Sequence, residues 1–233
     1  MCWHPTAPIL YAVSELDQGQ VTALAVSDGG ELDVLASIHA GGPTSCWVTS
    51  DPVGSALLVA NYDEIDSGLA AFTTIRLGAD GLFTGEVTVS RQPGAGPDEE
   101  RQRTSHIHQV VPTPYGTVLA TDLGADAIWE YRVDPDAVVS LSRIALPTAR
   151  GPRPSALSSD RSTGFLLGEL PEPHPVNRRA AADGPTADKH VPSAGRPGPP
   201  PDPASPSHHV TCLLAPRRLL HHTRPRTLLH IYL

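Results

Sequence analysis

Lysine is almost missing from this chain and cysteine is scarce. Of 17 basic residues only Lys189 is a lysine. The rest are arginine, a skew that GC-rich coding produces and that carries little physics. Cys2, Cys46 and Cys212 are odd in number and far apart. They fit no disulfide framework and no zinc spacing, so a reducing cytoplasm is the expectation. No apolar run approaches the ~20 residues that span a bilayer. Met1-Cys2-Trp3-His4-Pro5 has no basic stretch followed by an apolar one. Neither a membrane span nor a signal peptide is therefore expected. A helical period is missing too: no window of about 11 residues repeats its apolar positions at 3.6.

What is present is a repeat. A turn, an apolar β-type run and a short polar or acidic end recur. They read Leu10-Tyr11-Ala12-Val13-Ser14-Glu15, Leu57-Leu58-Val59-Ala60-Asn61-Tyr62, Val118-Leu119-Ala120-Thr121-Asp122 and Phe165-Leu166-Leu167-Gly168-Glu169. With Ser14, Asn61, Asp122 and Gly168 equivalent, the spacings are 47, 61 and 46 residues. A period near 45 with several short strands per unit is the signature of a β-propeller. Strands are expected at 8–13, 21–27, 32–39, 45–50, 56–62, 69–76, 85–91, 106–112, 117–122, 127–133, 138–145, 154–158 and 164–169. Turn chemistry separates them at Asp28-Gly29-Gly30, Asp51-Pro52, Asp80-Gly81 and Thr113-Pro114-Tyr115-Gly116. At four strands per blade the fold class is all-β, about three to four blades of a propeller. The long loop from Gln92 to Thr104 is either a carrier of function or plain solvated surface.

After Leu170 the pattern stops. Residues 171–233 hold 13 of the 25 prolines and 7 of the 11 histidines. Their net charge is +4 against −12 for residues 1–170. Pro197-Gly198-Pro199-Pro200-Pro201-Asp202-Pro203 builds neither helix nor sheet interior. Two domains are expected: a folded 1–170 and a disordered Pro/His/Arg-rich tail, 171–233, read as a frameshifted gene end or else a true tail. The acidic folded part disfavours nucleic acid as a partner, because phosphates would be repelled.

Three segments resemble the lactonase family of seven-bladed propellers, the 6-phosphogluconolactonase type. The first is Gly41-Gly42-Pro43-Thr44-Ser45-Cys46-Trp47-Val48 with Asp51-Pro52 and Leu57 to Tyr62. The second is the Gln92–His108 region ending in His106-Ile107-His108-Gln109-Val110. The third is Gly151-Pro152-Arg153 with Gly168-Glu169-Leu170. The resemblance covers about residues 3–170, half of a full member. Trp47 and Pro154 stand where the family tends to have His, and Ser14 and Gly168 where it has Asn.

The resemblance implies hydrolysis of a sugar lactone, 6-phosphogluconolactone of the pentose phosphate pathway, with no cofactor. It places the site at the top of the propeller. His106 or His108 would be the base, Arg153 the anion-binding residue and Glu169 an orienting carboxylate. A base suits water activation, and an always-charged guanidinium suits a phosphate or an oxyanion. On residue type alone, each His is an ordinary polar strand residue, Arg153 a solvated turn residue and Glu169 a strand-end acid paired with an Arg. His-x-His also admits a metal, but no third ligand is spaced with it. Two other readings stay open: a carboxymuconate cyclase-like enzyme, and a non-catalytic propeller module that binds a protein. An incomplete ring leaves sheet flanks uncovered, so the chain is expected to fold poorly, aggregate or pair with another copy, and its activity to be impaired by the truncation.

Overall fold

The apolar runs pair into four antiparallel sheets of four strands each. The computed structural model describes residues 1–66, 69–134, 137–159, 163–170, 210–213 and 227–232. The first sheet contains β1 (Cys2–Trp3), β2 (Ile9–Ser14), β3 (Gln20–Val26) and β4 (Leu32–His39). The second contains β5 (Ser45–Ser50), β6 (Ala56–Asp66), β7 (Leu69–Leu77) and β8 (Phe83–Pro93). The third contains β9 (Ile107–Pro112), β10 (Thr117–Asp122), β11 (Ala127–Val133) and β12 (Val138–Ala145). Neighbours in these sheets follow chain order, so each is an up-and-down meander. Among the described residues there is no helix. Every strand expected from the sequence is present, and among β1 to β14 the two-residue β1 alone had no counterpart there.

The fourth sheet begins with β13 (Pro152–Leu157) and β14 (Thr163–Gly168). Where no fixed structure is expected past residue 170, two segments are strands. These are β15 (Val210–Leu213) and β16 (Thr227–Tyr232), in the order β13-β14-β16-β15. The physical reason is the edge of β14, whose N–H and C=O groups need partners. Thr227 to Tyr232 is proline-free and rich in residues that suit a strand, and it meets β14 from Thr163↔Tyr232 to Gly168↔Thr227. The proline-rich run 197–203 lies outside the described residues.

Strand alternation explains how the sheets stack. Side chains of one strand point to opposite faces in turn. In β6, Leu57 and Val59 pack toward the first sheet with Ile9, Tyr11, Val21 and Ala23. Leu58 and Ala60 pack toward the third with Ile107, Val110, Val118 and Tyr131. In β10, Val118 and Ala120 face the second sheet, whereas Leu119 joins Ile128, Leu146 and Leu166 of the next interface. A strand buried on both faces must be apolar at successive positions, which is why Leu57 to Ala60 is unbroken. Phe72 and Tyr131 meet across the second interface with ring centroids 4.8 Å apart. The last strand of each of the first three sheets is largely exposed.

Among the described residues, the first sheet packs into the core through one face. Its other face carries a register row Trp3, Leu10, Leu24 and Val34. Trp3 is 55% exposed and Val34 69%.

Candidate active site

Six polar side chains converge where the first strands begin and the second strands end. Tyr62 lies in β6, one residue past the buried Asn61. His106 stands just before β9 and His108 within it. Arg153 lies in β13, Glu169 directly follows β14, and Arg101 comes from the long loop between β8 and β9. Asp122 fixes the start of β9: its Oδ1 accepts the backbone N–H of His106 at 2.9 Å. Close packing holds the loop as well. A Cβ on Gly124 would fall 1.7 Å from the carbonyl oxygen of Thr104, so only glycine fits there.

The contacts close into a ring. Arg153 Nε donates to His108 Nε2 at 2.7 Å. Arg153 Nη1 lies 2.7 Å from Glu169 Oε2, an ion pair without the direction of a hydrogen bond. Arg101 Nη1 donates to Glu169 Oε1 at 3.3 Å, and Arg101 Nη2 to the Tyr62 hydroxyl at 3.1 Å. The Tyr62 ring then meets His108 edge-on at 6.0 Å and stacks on His106 at 4.5 Å, 16° from parallel. His108, Arg153, Pro154, Leu167 and Glu169 line a cavity of about 180 Å³. His106 is not in that lining but on the other side of Tyr62's contacts, so the two histidines do not share the wall as their spacing suggested.

The partners decide the tautomers. A guanidinium can only donate, so His108 Nε2 is the acceptor and its lone pair is already engaged. His108 Nδ1 is buried with no hydrogen-bond partner among the described residues. His106 Nδ1 lies 2.8 Å from the Tyr62 carbonyl oxygen. A carbonyl only accepts, so Nδ1 carries the proton and Nε2 keeps a lone pair. Its nearest neighbour is the Thr104 hydroxyl at 3.5 Å, the limit of a hydrogen bond. Glu169 orients the two guanidiniums. Each of its carboxylate oxygens meets one arginine, and the Tyr62 carbonyl, not Glu169, lies against His106 Nδ1. Among the described residues no three His, Cys, Asp or Glu side chains gather to hold a metal. Cys2 and Cys46 are free thiols, and burial pushes them up to about 11 and about 12, which makes both poor nucleophiles.

Comparison with known proteins places the chain in a family. Residues 1–185 match the family model described as lactonase, 7-bladed beta-propeller. The chain belongs to the lactonase family of seven-bladed β-propellers. Among curated relatives, the 6-phosphogluconolactonase of Bacillus subtilis (strain 168) is 30% identical over 165 residues, 70% of this chain and 46% of the relative. A Bacteroides uniformis crystal structure, provisionally assigned as a 6-phosphogluconolactonase, matches with a TM-score of 0.62 at 30% identity. It covers 70% of this chain and 47% of that one. The periplasmic gluconolactonase of Pseudomonas aeruginosa shares the fold, with a TM-score of 0.63 at 22% identity over 71% of this chain and 49% of that one. The chain thus spans about half the length of the relatives it matches. No helix among the described residues is long and apolar enough to cross a membrane.

Within this lactonase-family frame, the structure brings His108, Arg153 and Glu169 together and sets His106 beside them across Tyr62. Sequence reasoning missed Tyr62 and Arg101 as site residues. Tyr62 closes the strand motif Leu57 to Tyr62 and Arg101 lies in the loop from Gln92 to Thr104, but neither position carries a chemical signal of its own. Pro154 lines the cavity, and Trp47 packs against the interface between the second and third sheets.

The electrostatics yield a pH prediction. His108 is held down to about 4, first by burial and then by Arg153, with Arg101 adding to the effect and Glu169 opposing it. Its ordinary value is 6.5. Between those values the unfolded chain binds a proton that the folded chain refuses, so stability is expected to fall as pH drops from about 6.5 toward about 4. Above that window His108 is neutral in both states and contributes nothing. The full swing is at most about 3 kcal/mol. Denaturant midpoints at neutral and mildly acid pH should drop further for the native chain than for His108→Gln. Equal drops would show that His108 takes up its proton as readily folded as unfolded.

Proposed function

We propose that this chain carries the hydrolytic site of a sugar lactonase, with a phosphorylated aldonolactone as substrate. 6-Phosphogluconolactone is the specific candidate, and with it come the pentose phosphate pathway and a cytoplasmic setting. The observation that carries the reading is the closed ring of His108, Arg153, Glu169, Arg101 and Tyr62, with His106 stacked against it and its Nε2 held only by a 3.5 Å contact to the Thr104 hydroxyl. Opening a lactone needs a water that loses a proton and a carbonyl oxygen that gains charge. In this reading His106 Nε2 takes the proton from water, and the resulting hydroxide attacks the lactone carbonyl carbon. Arg153 stabilises the oxyanion as that oxygen turns negative. The ring C–O bond then breaks, and the imidazolium returns its proton to the departing oxygen, giving the open hydroxy acid. Glu169 keeps the guanidinium in place.

The test is the rate at which the purified chain opens 6-phosphogluconolactone and unphosphorylated gluconolactone, read by NMR against spontaneous hydrolysis. Acceleration, greater for the phosphorylated lactone, is expected. No acceleration of either would remove the enzymatic reading and leave a protein-binding propeller module as the alternative.

Self-association belongs to the same reading. The uncovered row Trp3, Leu10, Leu24 and Val34 has the apolar character of the faces that are covered between the inner sheets. Sedimentation velocity should show copies associating with rising concentration, and Val34→Asp should weaken that. A monomer at every concentration would refute it.

A further inference from the structure

Arg101 sits on a loop built to aim it. Asp98 Oδ1 accepts the backbone N–H groups of Glu100 at 3.0 Å and Arg101 at 2.9 Å. Gln102, fully buried, donates from Nε2 to the Leu123 carbonyl at 2.9 Å, while its Oε1 accepts the Asp98 N–H at 3.3 Å. Backbone bonds from Gln102 N to Asp98 O and from Gly96 N to Gln102 O close the loop on itself at 2.8 and 2.9 Å. Gly96 leaves no space, since a Cβ there would come within 2.6 Å of the Gln102 carboxamide. A merely solvated loop needs none of this. Its neighbours on the chain, Glu99, Glu100 and Arg103, are exposed, but the Arg101 side chain is 33% exposed and turned inward.

What it turns toward spans three sheets. One Nη meets the Tyr62 hydroxyl of the second sheet, and the other meets Glu169, which follows β14 of the fourth. The Tyr62 ring and carbonyl together hold His106, at the entry to the third. A planar guanidinium meets two such acceptors at once from separate nitrogens held in a fixed fork. We propose that Arg101 is a positioning residue that locks Tyr62, and through it His106, against Glu169. Its role lies in orientation, and it touches neither water nor lactone.

The kinetic arm of the test rests on the lactonase reading, and the spectroscopic arm does not. Tyr62 stacked on His106 shifts the imidazole Hε1 resonance upfield. In Arg101→Gln and in Tyr62→Phe, that resonance should move toward its unstacked position while the remaining spectrum stays folded. In turnover, each variant should lose about 10–100-fold in kcat with KM nearly unchanged, the scale of a misplacement near 1 Å. Because both act through one contact, the double variant should be no worse than either single one. An unmoved His106 resonance overturns the proposal. So does a rise in KM at constant kcat, which would make Arg101 a substrate contact, and so do additive losses. If the native chain opens no lactone, the functional reading fails and the resonance alone decides whether Arg101 positions His106.

Discussion

Replacing His106 by alanine is expected to lower lactone opening by about 10²–10⁴-fold, the usual worth of a positioned general base. The argument rests on which imidazole nitrogen is free. His108 Nε2 is occupied by the Arg153 guanidinium, which can never act as an acceptor. A base there would have to break that contact and then take up a proton beside a cation, against a tendency that already holds it down to about 4. His106 has its Nδ1 proton committed to the Tyr62 carbonyl, and its Nε2 lone pair meets only the Thr104 hydroxyl, at the 3.5 Å limit of a hydrogen bond. The loss in His106→Ala should appear in kcat. The backbone N–H that Asp122 accepts survives the change, so the folding cost should be limited to the Tyr62 stack, about 0.5–1.5 kcal/mol, and the Nδ1–H bond to the Tyr62 carbonyl, about 0.5–1.5 kcal/mol. His108→Ala should cost less in rate, acting through a displaced Arg153. Native turnover in His106→Ala, with the large loss in His108→Ala, would reverse the assignment.

The strand pattern was legible because it is local. Each run of apolar residues between Gly, Pro and Asp turns became a strand, and the unbroken Leu57 to Ala60 run marked a strand covered on both faces. The site was half legible. His106, His108, Arg153 and Glu169 came from a resemblance carried by motif order, and three of them line one cavity. Their partnerships could not be read. Which oxygen of Glu169 meets which arginine depends on a loop 68 residues away in sequence. Tyr62 contributes through its carbonyl and the face of its ring, and neither leaves a trace in residue-type patterns. The pairing of β16 with β14 was hidden for a related reason. Composition describes 171–233 as a whole, whereas a sheet edge selects one short proline-free apolar segment, Thr227 to Tyr232, that fits its register.

Asp122→Ala is expected to be the most destabilising change near the site, at about 3–5 kcal/mol, against a total of about 5–15 kcal/mol for a typical domain. Asp122 is fully buried. Its Oδ1 accepts from His106 N at 2.9 Å and Ala125 N at 3.0 Å, and its Oδ2 accepts from Trp129 Nε1 at 2.9 Å and from the Ser105 hydroxyl. Alanine would strand these donors in the interior, where each costs about 1–3 kcal/mol. The equivalent position in the preceding repeat explains why an acid stands here. Asn61, also fully buried, accepts from Ser45 Oγ at 2.7 Å but donates from Nδ2 to the Ala40 carbonyl and to Thr73 Oγ1. Its surroundings mix donors and acceptors, which suits an amide. All four partners of Asp122 donate, which suits a carboxylate and sets an amide N–H against one of them. Asp122→Asn should therefore fall between native and Asp122→Ala in urea denaturation, since the Ser105 hydroxyl can turn to accept but an indole or backbone N–H cannot. Native-like stability in Asp122→Asn would show that the donors do not require the charge. Because Asp122 also sets the entry of β9, the same variants should displace His106, and lactone opening should fall in the same order as stability.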